Sequence, residues 1–111
     1  LDAYCGLRHV LVSTSGGSLH GFMDEHLQAL GRARNVVLSV QSFALVPGLL
    51  CQSDHVATVP ARLAALHAGV LDRFALPFDG QGFALYAAWH PRFHTDPALA
   101  WLRDQVIRVA A

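Results

Sequence analysis

Residues 9–18 of the chain read HVLVSTSGGS. Three of the first four are apolar, and two of them are β-branched valines, which favours a short β-strand from His9 to Val12. Serine, threonine and glycine follow, and this composition is typical of a turn. From Leu19 to Leu30 apolar residues recur every three or four positions, which indicates an amphipathic helix. The segment therefore predicts a strand, a glycine-rich turn, and a helix that ends at Gly31.

The alternation of strands and helices continues along the chain. The further predicted elements are the strands Val36–Val40, His55–Val59, Arg73–Leu76 and Phe83–Trp89, a short helix that starts near Leu45 or Val46, a helix over Pro60–Ala68, and a last helix that Asp96 caps and Pro97 begins. The predicted buried stripe of the last helix consists of Leu99, Leu102, Val106 and Val109. Alternating elements of this kind predict an α/β fold in which a mostly parallel sheet lies between two layers of helices, a three-layer αβα arrangement.

The composition restricts the classes of function. Apolar residues make up 53% of the 111 residues, while charged residues make up 14%, against about 25% in a typical soluble domain. Eight basic and eight acidic residues cancel, so the chain lacks the basic excess of a segment that binds nucleic acid by itself. No apolar stretch approaches the ~20 residues of a membrane span, and no secretion signal opens the chain. We therefore expect a cytoplasmic location without membrane contact, and the start at Leu1 suggests part of a longer protein.

Two loops of the predicted sheet carry groups suited to a ligand. The carboxyl ends of parallel strands meet at one edge of a sheet, where ligands of α/β proteins bind. The first strand is followed there by Ser13, Thr14 and Ser15, and the second by Gln41 and Ser42. Hydroxyl groups and glycine-rich backbone can hold a carboxylate or another small anion. A helix cap is the alternative role for at least one of these hydroxyls.

The residues after the first strand also offer one catalytic alternative. Residues 16–20, GGSLH, approach the G-x-S-x-G pattern of hydrolases, although His20 replaces the final glycine. A small serine hydrolase that uses Ser18 is therefore a remote alternative. The seven histidines lack the spacing of metal ligands, since Pro91 interrupts the pair His90 and His94. We expect neither a metal nor a cofactor.

Several segments, taken in order, are similar to one known family. They are RNVVLSVQSF at 34–43, HVATVPARLA at 55–64, LPF at 76–78, WHPR at 89–92, DPA at 96–98 and WLR at 101–103. Together they resemble the C-terminal half of the effector-binding region of LysR-type transcriptional regulators. The resemblance runs from about Tyr4 to Arg103.

The resemblance implies a fold like that of type 2 periplasmic binding proteins, with a small-molecule effector between two lobes. Residues 9–77 would form the second lobe, and residues 83–111 would return to the first. The implied ligand contacts are Ser13, Thr14, Ser15, Gln41, Ser42 and Phe43. DNA would be read only by an N-terminal helix-turn-helix outside this chain, and no catalysis is implied. A lobe of a solute-binding protein is the alternative within this fold.

The resemblance also implies a homo-oligomer. In the family, lobes of two chains pack antiparallel, which would here involve Leu19–Leu30 and Val36–Val40. We further expect apolar surface to be exposed around Phe83–Trp89 and the last helix, or to be covered by self-association. One departure concerns Gln41, because relatives often have proline there, and a glutamine suggests a more polar ligand or a narrower cleft.

Overall fold

A computed structural model describes residues 1–80 and 82–110 of the chain. The elements are helix α1 (Asp2–Gly6), strand β1 (Arg8–Val12), helix α2 (Phe22–Ala29), strand β2 (Asn35–Val40), a 3₁₀ turn (Phe43–Leu45), helix α3 (Val46–Leu50), strand β3 (Val56–Ala57), helix α4 (Ala61–Leu66), a second 3₁₀ turn (Pro91–Phe93) and helix α5 (Pro97–Ala110). The chain divides into two compact units, Leu1–Gly80 and Gln81–Ala111.

The sheet belongs to the first unit and has the order β2-β1-β3, with both neighbours parallel to β1. His9 of β1 lies opposite Val36 of β2 and Val56 of β3. Each strand is followed by a helical segment, as a parallel connection requires. The structure thus confirms the predicted α/β class and the parallel direction of the strands.

Helix α2 begins three residues later than the predicted start at Leu19. Gly21 precedes its first turn and lies so close to β1 that a Cβ atom there would come within 2.7 Å of Leu11 Cδ1. The N–H of Gly21 donates to Asp24 Oδ2 at 2.8 Å, which caps the helix. A glycine therefore sets the boundary by allowing the start of the helix to approach the sheet.

The end of α2 follows the prediction at Gly31. This residue has φ +65°, a left-handed conformation that glycine adopts without a Cβ penalty. The N–H of Gly31 donates to Gln28 O at 2.9 Å, and the N–H of Arg32 donates to Leu27 O at 2.8 Å. These two bonds satisfy carbonyl groups at the end of the helix, as in a Schellman motif.

The apolar core lies in the first unit and is small. Its buried apolar side chains are Val10, Leu11, Leu27 and Val46. They come from β1, α2 and α3, and Val10 and Leu11 face opposite sides of the sheet, because successive side chains of a strand alternate. Leu27 is the member of the α2 stripe that is buried, whereas Phe22 and Leu30 remain exposed.

Two predicted strands are wrong. The structure shows no regular strand over Arg73–Leu76 or over Phe83–Trp89, and the sheet of the described residues has three strands. Leu85 and Tyr86 are close to nine-tenths exposed. An apolar run becomes a strand only when a neighbouring strand supplies its hydrogen bonds, and no described residues pair with these segments. The β3 strand is also shorter than the predicted His55–Val59.

The later helices match the predictions in part. Helix α3 begins at Val46, as expected, and Pro97 begins α5, where the N–H of Leu99 donates to Asp96 Oδ1 at 2.9 Å. Pro60 precedes α4 instead of opening it, and this helix ends at Leu66.

The predicted burial of the α5 stripe is wrong, because Leu102, Val106 and Val109 are exposed. The competing expectation, exposed apolar surface around Phe83–Trp89 and the last helix, is confirmed. Apolar residues at helical spacing identify the face of a helix but do not supply the partner that would cover it.

Candidate functional site

The two loops predicted to form a ligand site leave the sheet at the same edge. Val12 of β1 lies opposite Val40 of β2, and the N–H of Ser13 donates to Val40 O at 2.8 Å. This bond extends the parallel ladder by one residue and fixes Ser13 next to the start of the second loop. The first residues after β1 and β2 are therefore neighbours, as the rule for parallel sheets predicts.

The first loop turns sharply after Ser13. The N–H of Gly16 donates to Ser13 O at 3.1 Å, and both Gly16 and Gly17 have φ +74°. The hydroxyl of Ser13 lies 3.5 Å from that of Ser15, and Ser13 is only 7% exposed. Thr14 and Ser15 are exposed. The loop thus presents one buried hydroxyl and two accessible ones at the sheet edge.

The backbone of this loop offers hydrogen-bond donors. Within residues 1–80 and 82–110, no protein group accepts from the backbone N–H of Thr14, Ser15 or Gly17. Three unpaired N–H groups thus lie within four residues, and free backbone N–H groups are donors of the kind that anion sites use. The arrangement suits a carboxylate, which accepts several hydrogen bonds at once.

The second loop places a carboxamide against the first. Gln41 Nε2 lies 2.5 Å from the position that a Cβ atom on Gly16 would occupy, so the Gln41 side chain covers this glycine. Ser42 Oγ accepts the N–H of Ala44 at 3.2 Å and caps the 3₁₀ turn. Phe43 opens that turn and is half-buried. The structure therefore brings Gln41 to the Ser13–Gly17 loop and gives Ser42 the role of a cap.

A buried polar cluster at the other end of β1 was not predicted. His9 is fully buried, and its Nε2 lies 2.7 Å from Tyr4 O. A carbonyl oxygen only accepts, so Nε2 carries the proton, and Nδ1 has no partner among the described residues. Burial lowers the pKa of His9 and outweighs the bond to Tyr4, so the ring is neutral at pH 7.

An ion pair completes this cluster. Arg34 donates from Nε and Nη2 to the two carboxylate oxygens of Asp24 at 2.8 and 2.9 Å, and these side chains are only 2% and 10% exposed. Burial opposes the charge of Asp24, but the bonds from Arg34 and Gly21 outweigh it and lower the pKa of the carboxyl group. Burial likewise opposes the charge of Arg34, and Asp24 outweighs it and raises the pKa of the guanidinium.

The cluster is separate from the candidate site. Arg34 directly precedes β2 and His9 lies at the start of β1, whereas the ligand loops follow the ends of these strands. The sequence offers one weak signal, because Asp24 lies in the predicted helix α2 and Arg34, an opposite charge, follows the end of this helix ten residues later. Nothing in the sequence, however, indicates that the two side chains meet.

Ser18 and an apolar groove lie outside both the ligand loops and the buried polar cluster. Ser18 Oγ bonds only the backbone of His20, at 3.0 Å, and contacts no base among the described residues. An open apolar groove of about 450 Å³ contains none of the predicted site residues and is lined by Leu1, His26, Ala29, Leu30, Pro77, Phe78 and Asp79. No three histidine, cysteine or acidic side chains of the described residues come together as metal ligands. None of the helices in the described part of the chain has the length and apolar character needed to cross a bilayer.

Comparison with known proteins identifies relatives of this chain. Residues 1–111 match the family described as LysR substrate binding domain. The chain is 35% identical to the HTH-type transcriptional activator NahR of Pseudomonas putida over 106 residues, which cover 94% of this chain and 35% of that protein. It is 31% identical to Nodulation protein D 3 of Rhizobium leguminosarum bv. phaseoli over 112 residues, or 99% of this chain and 37% of that protein. The chain thus spans about a third of the length of these relatives.

A solved structure shows the same fold. The regulatory domain of MexT, a transcriptional activator in Pseudomonas aeruginosa, superposes with a TM-score of 0.79 at 42% sequence identity. The match covers 96% of this chain and 54% of that one. The fold is therefore the one of periplasmic-binding-protein type that the resemblance implied, and this chain belongs to the LysR substrate-binding domain family.

Proposed function

We propose that the chain is the effector-binding part of a LysR-type transcriptional regulator and that it senses a small molecule without catalysing a reaction. Residues 9–77 would belong to the second lobe of a three-layer αβα fold, and residues 83–111 to the returning part of the first lobe. DNA binding would reside in an N-terminal helix-turn-helix outside these residues. The relatives support this proposal, since NahR is named an HTH-type activator and the MexT structure is a regulatory domain.

The observation that carries the proposal is the meeting of the two loops at the sheet edge. Ser13 would offer its hydroxyl, Thr14 and Ser15 would offer hydroxyl and N–H donors, and Gln41 and Ser42 would flank them from β2. Phe43 would supply an aromatic wall. The unpaired N–H groups favour a carboxylate over a neutral ligand, because hydrogen bonds to a charged acceptor are about twice as strong as neutral ones. A small carboxylic acid with an apolar body is therefore the proposed class of effector.

Benzoate and benzamide provide a matched pair of probes, equal in shape and different in charge. We expect benzoate to shift the ¹⁵N–¹H NMR signals of Thr14, Ser15 and Gly17 and to bind about tenfold more tightly than benzamide. Ser13→Ala should weaken benzoate binding. Ser53→Ala is its control. The Ser53 hydroxyl lies after α3, outside these loops, and donates to Leu49 O at a distance of 2.7 Å. Equal affinity for both probes, or shifts confined to the groove beside Leu30 and Phe78, would contradict the proposal.

We also propose that the chain self-associates through the exposed apolar residues of its second unit. Trp101, Leu102 and Ile107 of α5 are half to two-thirds exposed, and burial of one such side chain contributes about 1.5–3 kcal/mol. Ile107→Gln should weaken self-association at least about tenfold in sedimentation equilibrium, whereas Arg108→Gln on the same helix should not. A monomer at every concentration of the parent chain would refute this proposal.

A further inference from the structure

Gly16 and Gly17 share the same φ angle but have different surroundings. Both have φ +74°, so a side chain at either position meets a positive-φ backbone that L-residues rarely adopt. A Cβ atom on Gly17 would meet nothing within 4 Å. A Cβ atom on Gly16 would lie 2.5 Å from Gln41 Nε2 and 3.5 Å from Gln41 Cδ. The absence of a side chain at Gly16 is therefore what leaves space for the Gln41 carboxamide.

The carboxamide of Gln41 has its hydrogen-bonding capacity available. Among the described residues, no protein group bonds Gln41 Nε2 or Oε1. The group lies beside a loop whose Thr14, Ser15 and Gly17 N–H groups are also unpaired. Donors from the backbone of one loop and from a side chain of the other thus lie at the same edge of the sheet.

We propose that Gly16 is a specificity-determining residue of the effector site, because it leaves the space in which the Gln41 carboxamide lies beside the Ser13–Gly17 loop and can donate to the bound carboxylate. This inference rests on the proposed function. Gly16 acts as a positioning residue through Gln41, and its contribution comes from the space that it leaves. A side chain at Gly16 displaces the carboxamide, whereas a side chain at Gly17 does not.

A double-mutant cycle separates this role from backbone strain. Gly16→Ala and Gly17→Ala are compared in the parent chain and in Gln41→Ala, with benzoate affinity and urea unfolding as readouts. We expect Gly16→Ala to weaken benzoate binding about fivefold more than Gly17→Ala, the effect of losing one hydrogen bond from Gln41. In the Gln41→Ala background the two alanine variants should be equal. Equal losses in the parent background would overturn the inference.

The charge at position 41 gives a second test. Gln41→Glu keeps the size of the side chain and places a negative charge beside the loop. We expect benzoate binding to weaken about fivefold or more and benzamide binding to stay within about twofold, since only benzoate is repelled. Unchanged benzoate affinity in this variant would overturn the inference.

The two readouts also distinguish the inference from the proposed function. Urea unfolding without ligand measures the cost of each alanine to the fold, and we expect this cost to be the same with and without Gln41, because the displaced carboxamide is the end of a flexible, exposed side chain. If the parent chain does not bind benzoate, the proposed carboxylate site is wrong, and the inference falls with it. If the parent binds benzoate and residues 16 and 41 show no coupling in benzoate affinity, the inference alone is wrong.

Discussion

Replacement of Arg34 by alanine is expected to lower the free energy of unfolding by about 3–5 kcal/mol, because it leaves a buried carboxylate without its partner. Asp24 accepts two hydrogen bonds from this guanidinium and is itself nearly buried. It also caps α2 through Gly21, so an unpaired charge would disturb the start of the helix that packs on β1. Urea unfolding followed by circular dichroism at pH 7 measures the loss.

The pH of this experiment follows from the direction of the pKa shift. The pKa of Asp24 is below the ordinary 3.8 in the folded chain, so folding favours the ionised form. The stability that this provides is complete above about pH 4 to 5 and is lost as the pH falls through the lowered value. Measurement at pH 7 therefore includes the whole contribution of the pair.

Arg32→Ala is the matched control for Arg34→Ala. Arg32 forms an ion pair with Asp2 at 3.0 Å, but these side chains are 50% and 79% exposed. Exposed pairs contribute about 0–1 kcal/mol, since water screens them. Equal losses in the two variants would show that burial of the Asp24–Arg34 pair does not stabilise the fold.

The elements around the candidate site could be predicted from the sequence because local chemistry defines them. The strands β1 and β2 begin within one residue of the predicted His9 and Val36, where β-branched residues start. Gly31 lies in the turn that ends α2, as expected, since its left-handed conformation is a local property of glycine. The rule for parallel strands then places Ser13 and Gln41 at one edge without further information.

Pairing between distant residues could not be predicted in the same way. Phe83–Trp89 has the composition of a strand, but its state depends on a neighbouring strand that periodicity does not specify. The contact of Arg34 with Asp24 and the burial of His9 likewise arise from the packing of α1 and α2 on the sheet. The resemblance to a family indicated the fold, whereas local patterns predicted β1, β2 and the end of α2 but not which later segments pair in the sheet.

The candidate site shows the same division. The sequence indicated which loops carry it and which hydroxyls they contain. It did not show that Ser42 would cap the 3₁₀ turn, or that Gln41 would cover Gly16. These contacts depend on side-chain positions across two loops, and a single sequence does not record them.

Leu27→Ala is expected to lower the free energy of unfolding by about 2–5 kcal/mol, because removal of a fully buried leucine leaves a cavity. Leu27 is the buried residue of α2, and the start of this helix lies against Leu11 of β1, which Gly21 approaches closely. Urea unfolding at pH 7 measures the change in the free energy of unfolding. An unaltered slope of this free energy against urea concentration would show that the surface exposed on unfolding is unchanged.

Leu30→Ala provides the control on the same helix, because Leu30 is 53% exposed and its truncation should cost less than about 1 kcal/mol. A large loss for Leu27 with a small loss for Leu30 would locate the stability of the first unit between α2 and β1. Since Ser13 follows Val12 at the end of β1, that packing also supports the edge at which the ligand loops meet. Equal losses of stability in the two variants would mean that Leu27 is not the main buried contact of α2. The packing of α2 would then not explain the position of the loop after β1.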